Sequence, residues 1–150
     1  MDRIPDRERL TEYGLAALRI LLIEDDPTDM RLFTVVLCGS GHSVRGGTTA
    51  EQAIDEIRTH RPELILTDLR LPGMDGLSLV RRLKRDQETQ AIPIVAVTAA
   101  PEYFSRAAAL AAGCDAYIVK PVDTRALPSQ VEAVLQSTQT DEVHANPHRR

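Results

Sequence analysis

Tryptophan is absent from this chain, and aromatic residues amount to only 3% of it. That argues against base-stacking surfaces for single-stranded nucleic acid and leaves Leu, Ile, Val and Ala to build a core. A basic excess is missing as well, since the formal net charge is -4, so direct binding to a nucleic-acid backbone has no electrostatic footprint. The two cysteines, Cys38 and Cys114, show neither metal-ligand spacing nor a disulfide framework and read as reduced thiols. No apolar run approaches the roughly 18 residues that span a bilayer. The chain starts with Asp2, Arg3, Asp6, Arg7, Glu8 and Arg9 where a signal peptide would be apolar. A cytoplasmic protein without membrane attachment is the expectation.

What is present is alternation. The 150 residues, 43% hydrophobic and 27% charged, suit one soluble domain. Residues 1–18 read as a leader, polar at first and then weakly amphipathic through Leu10, Tyr13, Leu15 and Leu18. Five strand candidates follow: Arg19 to Glu24, the weaker His42 to Arg45, Leu64 to Asp68, Ile92 to Thr98 and Ala116 to Val119. Asp26-Pro27 opens a first helix along Met30, Phe33, Val36 and Leu37, and Gly39-Ser40-Gly41 stops it. Thr48-Thr49-Ala50-Glu51 has the spacing of a capping box for a second helix along Ala53, Ile54 and Ile57. Leu77, Leu79, Val80 and Leu83 mark a third, an Ala-rich run from about Glu102 to Ala112 a fourth, and Leu127, Val131, Val134 and Leu135 a last. Such alternation predicts an α/β fold, a doubly wound parallel sheet with helices on both faces. Residues 137–150 are polar and read as a disordered tail, so the metal-like spacing of His144 and His148, with Pro147 between, is set aside.

In an open parallel sheet, ligands sit beyond the carboxyl ends of the strands. There this chain has Glu24-Asp25-Asp26, Asp68, Thr98 and Lys120. Carboxylates brought together raise one another's pKa unless a cation neutralises them. Few hard oxygen donors and no His or Cys favour Mg²⁺, with Mn²⁺ as a substitute, over calcium or zinc. Lys120 supplies a flexible positive charge and Thr98 a hydroxyl donor, a pair suited to phosphate oxygens. Asp68, central and alone at its strand end, is then the natural nucleophile for a phosphoryl group.

Singly, each residue also has a plainer reading: a solvated turn or cap for the acids, a strand position for Thr98, a surface charge for Lys120. Jointly they are specific. From Arg19 to Gln136 the chain resembles the receiver domain of two-component response regulators, stand-alone type. The acidic pair is Glu24-Asp25 in Leu-Ile-Glu-Asp-Asp, and the phosphoacceptor is Asp68 in Leu-Thr-Asp-Leu-Arg-Leu-Pro-Gly-Met-Asp-Gly. The switch hydroxyl is Thr98 in Val-Thr-Ala, and the lysine is Lys120 in Lys-Pro. The resemblance implies a flavodoxin-like (βα)5 sheet of strand order 2-1-3-4-5. It also implies Mg²⁺ held by Asp25, Asp68 and the Arg70 carbonyl with Glu24 acting through water, a rotamer switch at Tyr117 and a cis Lys120-Pro121 bond. Its function would be a phosphoacceptor switch fed by a sensor histidine kinase or a histidine phosphotransfer protein. Beyond self-phosphorylation and self-dephosphorylation at Asp68, no enzyme activity is implied.

Three rivals remain to be weighed. A flavodoxin-like electron carrier would need a Ser/Thr/Gly-rich phosphate loop where Glu24 to Pro27 stand, and an aspartate-nucleophile phosphatase would need an acid where Arg70 stands. A phosphorylation-independent interaction module, or a receiver excised from a hybrid kinase, stays open. With no output domain in these residues, the expected output is binding to another protein, as a monomer or a phosphorylation-dependent dimer. Arg70 and Ala100 are expected to tune phosphoryl lifetime. Pro128 is expected to delay the last helix to about Leu127 or to bend it there, because proline clashes with the carbonyl four residues back.

Overall fold

The computed structural model describes residues 17–145, with side chains described up to residue 136. The expected leader therefore falls outside the described residues, apart from Ala17 and Leu18. These two are buried, so the folded unit starts before Arg19. Leu18 earns its place through its backbone: its N–H donates to His42 Nδ1 (3.0 Å) and its carbonyl accepts from Ser43 N–H (2.9 Å).

Ten elements alternate: β1 (Arg19–Ile23), α1 (Pro27–Gly39), β2 (Ser43–Gly47), α2 (Ala50–Thr59), β3 (Leu64–Asp68), α3 (Gly76–Arg85), β4 (Ile94–Thr98), α4 (Arg106–Ala112), β5 (Ala116–Val119) and α5 (Leu127–Ala145). All strand pairs are parallel, in the order β2-β1-β3-β4-β5. This is the doubly wound sheet that the alternation requires. β3 and β4, buried at every residue, form its covered centre.

Side chains alternate along each strand and thereby divide the core in two. Leu21, Ile23, Ile65, Ile94 and Ala96 pack with α2, α3 and α4, through Ala53, Ile57, Leu79, Val80, Leu83 and Ala109. Ile20, Leu22, Leu64, Leu66, Val95 and Val97 pack with α1 and α5, through Phe33, Leu37, Leu127 and Val131. The five helices thus lie three on one face and two on the other.

Local differences from the expectations have physical causes. β2 runs to Gly47 and leaves out His42, whose buried ring is committed to Leu18 and α5. The cap of α2 lies one residue later than expected: Thr49 accepts from Gln52 N–H, while Gln52 Oε1 accepts from both Thr48 N–H and Thr48 Oγ1. α4 starts only at Arg106, because Ser105 caps it and the chain before it turns back with Tyr103 and Phe104 N–H on the Ala100 carbonyl. α5 does begin at Leu127, with Pro128 in its first turn, where a missing N–H costs nothing. Its backbone stays helical to Ala145, through much of the stretch expected to be a disordered tail. Among the described residues, no helix is long and apolar enough to cross a membrane.

Candidate functional site

At the carboxyl edge of the sheet, the ends of β1, β3 and β5 deliver Glu24, Asp25, Asp68 and Lys120 to one spot. β1 stops where the acids begin, and Asp26 caps α1 by accepting from Thr28 N–H. Asp68 is the last residue of β3, and the chain then leaves through Leu69, whose N–H is held by the Val97 carbonyl. Gly76, at the start of α3, crosses directly behind it. A Cβ there would lie 2.5 Å from the Asp68 carbonyl oxygen and 2.6 Å from Leu69 Cα, so only glycine permits the approach. The Lys120-Pro121 bond is cis, as expected.

Lys120 is the hub. Its Nζ donates to Asp68 Oδ2 (2.9 Å), Glu24 Oε1 (3.0 Å) and Asp29 Oδ2 (2.8 Å). An ammonium has three N–H donors, and all three are taken. Burial works against its charge, but the three carboxylates outweigh that and hold its pKa above the usual lysine range. Burial pushes the Glu24 carboxyl from 4.5 up to about 7, helped by the Asp68 charge and opposed by the hydrogen bonds from Lys120 and Asp26 N–H. Asp68 Oδ1 accepts from Arg70 N–H at 2.9 Å, and the Arg70 side chain is exposed.

One lysine thus faces several acids, and the imbalance invites another cation. Carboxylate oxygens of Glu24, Asp25 and Asp68 all lie within 4.8 Å of one another, and Asp25 is exposed, giving an entry side. The donors are hard oxygens only, which fits Mg²⁺ or Mn²⁺.

Thr98 ends β4 one strand over. Its fully buried hydroxyl accepts from Ala100 N–H (2.9 Å), and its carbonyl accepts from Lys120 N–H (2.8 Å). Tyr117 stands apart from the acidic cluster: its half-buried ring donates its hydroxyl to the Phe104 carbonyl in the chain before α4. Asp29 went unrecognised in the sequence, because an acid three residues after a helix cap reads as a capping residue. Burial pushes the Cys114 thiol up to about 11, which disfavours its thiolate.

Known proteins share this fold and resemble this sequence. Residues 20–132 match the family described as response regulator receiver domain. Protein PilH of Pseudomonas aeruginosa is 33% identical over 117 residues, covering 78% of this chain and 97% of PilH. Transcriptional regulatory protein AfsQ1 of Streptomyces coelicolor is 37% identical over 117 residues, but this chain spans only 51% of its length. Among solved structures, a putative response regulator from Chloroflexus aurantiacus superposes with a TM-score of 0.76 at 30% identity, covering 80% of this chain and 98% of that one. Chemotaxis response regulator CheY4 of Vibrio cholerae, at 21% identity and a TM-score of 0.72, shares the fold. With the match extending over most of the folded unit and the acids and lysine meeting at one edge, the chain belongs to the response regulator receiver domain family.

Proposed function

We propose that Asp68 accepts a phosphoryl group from a phosphohistidine of a sensor histidine kinase or histidine phosphotransfer protein. One observation carries the reading: Lys120 Nζ lies 2.9 Å from Asp68 Oδ2 at a strand edge shared with Glu24 and Asp25. A carboxylate oxygen of Asp68 bonds to phosphorus as the P–N bond of the donor breaks. The bonding pair returns to the imidazole nitrogen. Lys120 then faces the transferred oxygens and offsets the charge spread over them. Asp25, Asp68 and the Arg70 carbonyl would hold Mg²⁺, with Glu24 acting through water. The metal supplies further positive charge at the phosphoryl oxygens. Hydrolysis of the acyl phosphate resets the chain, and Arg70→Ala should change its decay rate. Ala100, only 2% exposed, is the less suitable position for a substitution.

Readout follows from two hydroxyls that already have partners. Thr98, whose oxygen accepts from Ala100 N–H, would donate its hydroxyl proton to a phosphoryl oxygen, and Tyr117 would give up the Phe104 carbonyl, shifting a two-state surface read by a downstream protein. The test is incubation with Mg²⁺ and acetyl phosphate or phosphoramidate. A hydroxylamine-labile phosphoryl group should form on the native chain and be absent from Asp68→Ala. No label on the native chain would leave a phosphorylation-independent interaction module as the function.

A further inference from the structure

Asp29 is the site residue without an assigned task. It sits in the first turn of α1, three residues after the cap Asp26, where an acid usually reaches back to the cap's own N–H. Here that N–H is already held by Glu24 Oε2 at 3.1 Å. Asp29 instead reaches across to β5 and takes the third N–H of Lys120 at 2.8 Å. The lysine is thereby saturated before any phosphoryl group arrives, and one of its three bonds must break for it to turn to the incoming oxygens.

The three bonds are unequal. The Glu24 side chain is 1% exposed and would be left buried without its cation, and Asp68, 7% exposed, is the reacting group itself. The Asp29 side chain is 26% exposed, so water can replace the lysine there. From this inequality we infer that Asp29 is a positioning residue: it holds Lys120 in the resting state and is the partner that releases it when Asp68 is phosphorylated. The inference rests on the phosphoacceptor reading of Asp68. In this chain the availability of Lys120, and with it the rate of phosphoryl uptake, is set from α1.

Asp29→Asn keeps the shape and an acceptor oxygen but removes the charge. With phosphoramidate and Mg²⁺, its maximal phosphorylation rate should rise about fivefold, the equivalent of a partly exposed ion pair. The donor concentration for half-maximal rate should stay the same. Beryllofluoride, an unreactive phosphoryl mimic, should bind tighter by a similar factor. In a Lys120→Gln background, Asp29→Asn should change neither quantity, because the partner through which it acts is gone. Thermal unfolding of every variant verifies folding; should Lys120→Gln fail to fold, the split between maximal rate and half-saturation decides.

Unchanged maximal rate and mimic affinity in Asp29→Asn would overturn the inference while leaving phosphoacceptance intact. So would a lower half-saturating donor concentration at unchanged maximal rate, since Asp29 would then only repel the anionic donor. An effect persisting in Lys120→Gln would do the same. A native chain that takes no label on Asp68 would overturn both readings.

Discussion

The two edges of the sheet both bury polar side chains that join distant elements, yet they are built to opposite ends. At the amino edge, His42 Nδ1 accepts from Leu18 N–H, and its Nε2 meets Glu132 Oε2 at 2.9 Å, tying the entry to β1 and the start of β2 to α5. That tie is closed: the His42 side chain is fully buried and Glu132 is 4% exposed. At the carboxyl edge, one lysine serves three carboxylates, with the exposed Asp25 beside them. A side-chain hydrogen bond shut away from water holds elements together. An unmatched cluster open on one side is poised to gain a cation or exchange partners, and a switch requires that.

Several measurements can break or sharpen this contrast. The largest effect is expected from Lys120→Ala, which should lower phosphorylation of Asp68 by about 10²- to 10³-fold, as for loss of a preorganised charge-stabilising donor. Rates near those of the native chain would remove the lysine from the chemistry. His42→Ala should do the reverse. It leaves Glu132 buried beside a lost partner and should cost about 3 kcal/mol in urea unfolding while saturating phosphorylation rates hold. A large loss of rate there would show that the two edges are coupled.

Gly76→Ala should cost about 2 kcal/mol by forcing α3 away from Asp68. Unlike His42→Ala, it should also slow phosphorylation, because the displaced backbone carries the proposed acceptor. Equal rates in Gly76→Ala and the native chain would mean that the loop absorbs the extra methyl.

The smallest effect concerns pH. Without metal, the folded chain keeps a proton on Glu24 that the unfolded chain gives up, since its pKa is about 7 folded against 4.5. This group's contribution to stability is therefore fully present below pH 4.5 and is lost as pH rises through 7. Lys120, with a raised pKa, contributes fully below its unfolded value of 10.5 and is constant across that window. In the proposed metal site Mg²⁺ would bind the deprotonated acids, so the rise in melting temperature it confers should be greater at pH 8 than at pH 5.5. An equal rise at both values would take Glu24 out of the proposed metal site.

Much of this was legible in the residues. The strand ends at Asp68, Thr98 and Val119, and the late start of α5 at Leu127, follow from local patterns and are seen as expected, whereas β1 stops at Ile23, one residue short of the expected Glu24. Boundaries moved where a distant partner intervened. His42 reads as a strand residue until Glu132 and Leu18 claim it, and Leu18 reads as leader until His42 and Ser43 bind its backbone. Thr49 rather than Thr48 caps α2 because Gln52 reaches back to hold Thr48. Asp29 looked like a helix-start acid because nothing within its own turn reveals the lysine.

By itself, the amino-acid sequence determined the order of the ten elements, the parallel sheet and the acids and lysine at its carboxyl edge. Those follow from periods of two and 3.6 residues and from what ends each strand. Only the tertiary structure decided which polar side chains meet. Lys120 and Asp29 lie 91 residues apart, and His42 and Glu132 lie 90 apart. Pairings over such separations are written in no local pattern, because they depend on where the packed sheet and helices finally place two side chains.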